Sequence, residues 1–135
     1  MTDLFLDANY LIALEVSDDQ HHKEASHHWS ALLQSPPLLV TTSYILDEVV
    51  TFLNSKRHHT NAVRVGNSLL TSSAIKLIHV DEALFKEGWE YFRKHADKTF
   101  SLTDCISFVL MSQLEITQAL TFDKHFVQAG FMRMP

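Results

Sequence analysis

Cysteine is nearly absent: Cys105 is the only one in 135 residues and lies in an apolar run. That excludes a disulfide framework, a multi-thiolate zinc site and an iron–sulfur cluster within one chain. A reducing compartment fits such a chain, and the cytoplasm is the expected location. Three glycines and three prolines leave little room for linkers, repeats or disordered tails. No stretch approaches the roughly 18 uninterrupted apolar residues of a membrane-spanning helix. The opening Met1-Thr2-Asp3-Leu4-Phe5-Leu6-Asp7 lacks the basic flank of a secretory signal, so no membrane association is expected. Positive charge is also short, with eleven Lys and Arg against sixteen Asp and Glu for a net charge of -5. A non-specific nucleic-acid coat is thereby excluded. A nucleic-acid enzyme is not, because metal ions make an acidic pocket attractive to phosphate; its substrate then needs a local basic patch.

What is present is the balance of an ordinary globular chain, 46% apolar and 20% charged. Its length predicts a single domain over residues 1–135, large enough to bury about two-thirds of its extended surface without staples. Short apolar runs at Asp3 to Asp7, Leu38 to Thr42, Ala74 to Val80 and Ile116 to Thr121 read as strands, with Phe131 to Met134 as a last edge strand. Between them, helical spacing recurs over Asn9 to Leu14, His21 to Leu33, the segment after Thr42-Ser43, Thr60 to Thr71, Asp81 to His95, Ser101 to Met111 and Lys124 to Val127. The helix after Asp104 is apolar almost all round and belongs against the sheet. Trp29, Phe85, Trp89, Phe92 and Phe108 are expected in the core. The alternation predicts a three-layer α/β/α sandwich with a mostly parallel central sheet. In such sheets ligands sit beyond the carboxyl ends of the strands.

Four acids fall where that edge should be. Asp7 ends the first strand, Asp123 follows a later one, Asp104 opens the most buried helix and Glu48 flanks the apolar face of the helix after the second strand. Like charges held together raise each other's pKa and lose hydration, and a divalent cation removes that cost. Oxygen donors of this kind suit Mg2+ or Mn2+, and such an ion activates water and polarises a phosphodiester. Asn9, Ser101 and Thr103 are placed to orient the ligands. Each acid also has a bland reading: Asp7 and Asp123 as helix N-caps, Ser101 with Asp104 as a capping box, and Glu48 as an inconsequential boundary residue.

Leu6-Asp7-Ala8-Asn9, Leu46-Asp47-Glu48-Val49, Ser101-Leu102-Thr103-Asp104-Cys105 and Ala119-Leu120-Thr121-Phe122-Asp123-Lys124-His125-Phe126 together resemble the PIN domain family. The resemblance is strongest to its compact toxin–antitoxin ribonucleases, and it spans Asp3 to about Phe131. It implies that Asp7, Glu48, Asp104 and Asp123 are the metal-binding and catalytic acids. Asn9, Thr42, Ser43 and Thr121 would be the polar residues around them. It further implies an Mg2+- or Mn2+-dependent endoribonuclease that leaves a 5′-phosphate and a 3′-hydroxyl, a homodimer, and a small antitoxin protein whose tail enters the active groove. The alternatives are a non-catalytic RNA- or protein-binding domain and another metal-dependent phosphohydrolase. A phosphatase with Asp7 as nucleophile would usually need an acid two residues on, where Asn9 stands.

Candidate phosphate contacts are Lys56, Arg57 and Arg64, the group Arg93, Lys94 and Lys98, and Lys124 and His125 beside Asp123. Nine histidines raise a zinc hypothesis in which His21, Glu24 and His28 share a helical face. With no cysteine to complete that set, a solvated helix face is the expectation. Cys105 beside Asp104 is expected to be an inert buried thiol.

Overall fold

In the computed structural model, residues 3–135 are described; Met1 and Thr2, part of the expected domain, lie outside the described residues. The chain runs β1 (Leu4–Leu6), α1 (Ala8–Glu15), α2 (His22–Leu32), β2 (Leu39–Thr42), α3 (Ser43–Ser55), α4 (His59–Thr71), β3 (Ile75–Ile78), α5 (Glu82–Lys94), α6 (Leu102–Gln113), β4 (Gln118–Leu120), α7 (Lys124–Gln128) and β5 (Met132–Met134). The sheet has the order β3-β2-β1-β4-β5, and every pairing is parallel. Leu4 pairs with Leu39 on one side of β1, and Phe5 with Ala119 on the other. Helices cover both faces, giving the α/β/α sandwich with a mostly parallel sheet.

The strand order positions the site. From β1 the chain winds outward through β2 to β3, then returns to place β4 on the other side of β1. Connections therefore diverge at the carboxyl ends of β1 and β4, the switch point at which such sheets bind ligands. The Asp7 amide donates to the Leu120 carbonyl at 3.1 Å, which locks the end of β1 to β4 at that point.

β1 and β2 are buried on both faces, as their uninterrupted apolar runs require. Phe5 packs toward Phe126 of α7, which meets Phe108 of α6 edge to face at 4.9 Å. Thr41 is the polar exception in β2. Wholly buried, its hydroxyl donates to the Leu6 carbonyl at 2.8 Å. Thr41→Val keeps the shape and removes the donor, so urea unfolding should show a loss of about 1–2 kcal/mol. An unchanged midpoint would mean that water replaces the bond.

α5 corrects the sequence expectation for three aromatics. Its inward line is Leu84 and Gly88, with Tyr91 partly buried, while Phe85, Trp89 and Phe92 stand 37%, 46% and 40% exposed. Both lines have helical spacing, so periodicity alone cannot choose between them. The choice is made by the approach of α6. A Cβ at Gly88 would lie 2.4 Å from Ile106 Cγ1, and only a residue without a side chain permits that contact. Phe108 is core, as expected, and Trp29 is partly buried against it.

The histidines of α2 also depart from the solvated face expected for them. His28 Nδ1 lies 2.8 Å from the Tyr10 hydroxyl, His22 Nδ1 lies 2.7 Å from the Ala13 carbonyl, and the His21 ring stacks on Phe122 at 4.2 Å. Each partner lies outside α2, so these rings join it to its surroundings, whereas His27 remains exposed. Among the described residues they form no metal-ligand group with Glu24.

Candidate active site

Asp7 occupies the N-cap position of α1 yet makes no side-chain cap bond. Its carboxylate instead accepts the Thr121 hydroxyl at 2.7 Å, and the same Thr121 oxygen accepts the Asp123 amide at 3.0 Å. Thr121, wholly buried at the end of β4, thus couples the first acid to the last. Asn9 Oδ1 accepts the Phe122 amide at 3.0 Å and lies 3.2 Å from the Thr121 hydroxyl, which holds the turn after β4 against the start of α1.

For Asp104 and Asp123 the capping readings hold, and capping is what aims the carboxylates. Ser101 and Asp104 form a reciprocal capping box at the start of α6, with bonds of 3.0 and 3.1 Å. Asp123 caps α7 by accepting the His125 amide at 2.9 Å. These short local bonds satisfy helix donors and fix each side chain at one end of its helix. Thr42 is the N-cap of α3 and accepts the Ile45 amide, which sets the helix on which Glu48 rides. Ser43 accepts the Val80 amide, tying α3 to the exit of β3. Thr103 contributes its carbonyl to the Ser107 hydroxyl.

The four acids act on one another electrostatically. Burial pushes the Asp7 carboxyl up from 3.8 to about 7, against the lowering effect of Thr121 and the Ala8 amide, with repulsion from Asp104 and Glu48 adding to the rise. Glu48 is exposed as a residue, but its carboxyl is raised by lost hydration and then by Asp104 and Asp123. Asp104 is raised chiefly by burial, with the Ser101 amide opposing and Asp123 adding to it. Asp104 is thus the neighbour that the other three share.

One tight group stands out among the described residues. Asp104, Asp123 and His125 each offer a donor atom within 4.8 Å of the others. His125 Nδ1 lies 3.2 Å from Asp104 Oδ2 and 3.3 Å from Asp123 Oδ1, and its Nε2 lies 3.1 Å from the Thr99 hydroxyl. Sequence reasoning treated His125 as a phosphate contact and passed over Thr99. The available signal was an Asp-x-His run across a helix N-terminus, which turns both side chains to one side. Thr99, 26 residues away, carried none. The donor set fits a divalent cation: donors about 2.1 Å from one ion stand about 3 Å apart at right angles.

The basic residues are scattered. Eight residues separate Lys56 from Glu48 along and just beyond α3, about 12 Å of helix rise, and the Lys56 ammonium lies over the Phe52 ring at 5.5 Å. Arg57 sits beyond the helix end with φ 65°. Arg64 pairs with Glu15, Arg93 with Glu90 at 3.1 Å and Lys98 with Asp97 at 2.6 Å. Lys94 and Lys124 are exposed and form no ion pair among the described residues. Cys105 is buried, and burial pushes its thiol up to about 11, away from the reactive thiolate. No helix among the described residues is long and apolar enough to cross a membrane.

The chain is similar to known proteins along almost its whole length. The chain is 30% identical over 131 residues to the 23S rRNA-specific endonuclease VapC20 of Mycobacterium tuberculosis, covering 97% of each. The crystal structure of M. tuberculosis VapC20, described as a sarcin–ricin loop cleaving toxin, superposes with a TM-score of 0.86 at 29% identity over 96% of both chains. A toxin–antitoxin complex from Klebsiella pneumoniae shares the fold, with a TM-score of 0.67 at 15% identity over 98% of this chain and 96% of that one. The PIN domain profile matches residues 4–132, and the chain belongs to the PIN domain family, within its VapC-like toxin–antitoxin ribonucleases.

Proposed function

We propose that this chain is a metal-dependent endoribonuclease in which Asp7, Glu48, Asp104 and Asp123 hold a catalytic Mg2+ or Mn2+ at the β1–β4 switch point. The observation that carries the proposal is that Asp7, Glu48 and Asp123, each from a separate segment of chain, all act on Asp104 of a fourth. Acids placed independently, as caps or as boundary residues, would not share a neighbour.

A bound divalent ion supplies charge neutralisation for the acids, a water of lowered pKa and polarisation of the phosphodiester. The chain's own residues supply the frame. Thr121 donates to Asp7 Oδ2 and so fixes the orientation of that carboxylate. Asn9 keeps Thr121 and Phe122 in register with α1. The Ser101 amide holds the Asp104 carboxylate and the His125 amide holds that of Asp123. Lys98, paired with exposed Asp97, Lys124 beside Asp123, and Arg93 with Lys94 at the end of α5 are the cations proposed to position an RNA backbone. Such contacts orient without reading sequence. Lys56, Arg57 and Arg64 stand as outlying contacts for a longer substrate. A homodimer, a small antitoxin partner and a cytoplasmic setting complete the reading.

The test is cleavage of an RNA panel that includes a 23S rRNA sarcin–ricin hairpin, with Mg2+, Mn2+ or chelator. Wild type should cut only with metal. Asp104→Asn, folded by circular dichroism, should lose at least about 100-fold, the scale of removing one group that acts on developing charge. Cleavage that persists in chelator or in Asp104→Asn would overturn the proposal.

A further inference from the structure

We propose that His125 is a nitrogen ligand of the cation site, and that it makes the site select first-row transition cations over Mg2+. This deepens the nuclease reading, since it rests on the same acids holding an ion, but it concerns a residue to which the four-carboxylate account gives no ligand role.

Three observations carry it. The first is spacing: His125 Nδ1 stands 3.2 and 3.3 Å from one oxygen each of Asp104 and Asp123. Those are the separations of adjacent donors around a single ion, and neither Asp7 nor Glu48 joins so tight a group among the described residues. The second is orientation. Nε2, the far ring nitrogen, faces the Thr99 hydroxyl at 3.1 Å. With the proton on Nε2, the ring donates to Thr99 Oγ1 and turns the Nδ1 lone pair toward the two carboxylates. A ligating histidine usually has its other nitrogen held in this way by an outer partner. The third is rigidity. The His125 amide is bonded to Asp123, and its ring lies edge-on to Phe100 at 5.5 Å, with Phe100 itself buried. The imidazole is therefore held in place before any ion arrives.

Selectivity follows from donor chemistry. Mg2+ is a hard cation that prefers oxygen and keeps its waters, and an imidazole adds little to its binding. Transition cations take imidazole readily. Mn2+ sits at the weak end of that series, so a preference for it over Mg2+ is a demanding probe of nitrogen ligation.

The experiment uses the full chain, stripped of metal and reloaded with Mn2+. Pulsed EPR of the wild type should show coupling to a histidine 14N, and the coupling should vanish in His125→Asn. Competition titrations should show Mn2+ binding weakened about 10- to 100-fold in that variant, with Mg2+ binding changed less than about threefold. Thr99→Val should weaken Mn2+ binding in the same direction by less. Absence of nitrogen coupling in the wild type overturns the assignment, whether or not the variant folds. So does an equal loss of Mn2+ and Mg2+ in His125→Asn. Cleavage by the same preparation is scored separately. RNA cutting without nitrogen coupling removes His125 as a ligand and leaves the nuclease standing. Nitrogen coupling without cutting keeps the ligand and removes the nuclease.

Discussion

Asp7→Asn should make the metal-free protein more stable at pH 8 while abolishing the proposed cation site. Burial holds the Asp7 carboxyl near 7 in the folded chain against 3.8 for a free side chain. A raised carboxyl pKa means that the folded state resists ionisation. The penalty is absent below about pH 3.8, grows as pH rises toward 7 and is constant above it. At about 1.4 kcal/mol per pH unit, three units correspond to an upper bound of about 4 kcal/mol. Asparagine keeps an oxygen for the Thr121 hydroxyl and removes the charge. In chelator at pH 8, urea unfolding should therefore show a gain of about 2–4 kcal/mol. The gain should shrink to nothing near pH 4, where wild-type Asp7 is protonated. Saturating Mn2+ should narrow the difference from the other side, because the ion binds only the folded state and binds wild type better. A loss of stability at pH 8 without metal would show that Asp7 is not held under strain by its surroundings.

The sequence already shows the parts of this site that depend on chain-local facts. Asp7 and Asp123 follow apolar strands, and Ser101 with Asp104 spells a capping box. Each position is set by residues within four of it, and parallel strands then bring their ends to one edge. The order of strands adds the switch point, which the alternation of elements implies. What stayed hidden depends on contacts between distant segments. Thr99 is an unremarkable threonine until α7 sets His125 beside it. His21, His22 and His28 look like a solvated face because their partners Phe122, Ala13 and Tyr10 belong to other elements. On α5 the pattern misleads outright: Phe85, Trp89 and Phe92 make the more hydrophobic stripe, and the buried stripe is Leu84 and Gly88. The glycine was the signal. A glycine inside an otherwise regular helix costs about 1 kcal/mol in propensity, and it persists where a neighbour must come close.

That close approach leads to the second large effect. In Gly88→Ala the new methyl would sit 2.4 Å from Ile106 Cγ1 and 3.2 Å from Ile106 Cα. Ile106 is wholly buried and β-branched, so its side chain has few rotamers to move into. Backbone displacement of α5 from α6 is the remaining relief. Overpacking of this kind costs about 1–3 kcal/mol, and the upper end applies because a backbone atom as well as a side-chain atom is in the way. A helix propensity gain of about 1 kcal/mol offsets part of it. The expected net loss is about 2 kcal/mol, or a fall in Tm of roughly 5–10 °C for a chain of this size. Ile106→Ala alone should cost about 2–5 kcal/mol by leaving a cavity. The two together should cost less than their sum by more than about 1 kcal/mol, since each fills or vacates the space of the other. Strict additivity would mean that α5 and α6 relax apart freely. The displacement also reaches the site, because Ile106 lies two residues beyond Asp104 on α6. Gly88→Ala should therefore weaken Mn2+ binding at a temperature where the variant is still fully folded, and Gly88→Ala with Ile106→Ala should recover part of that loss.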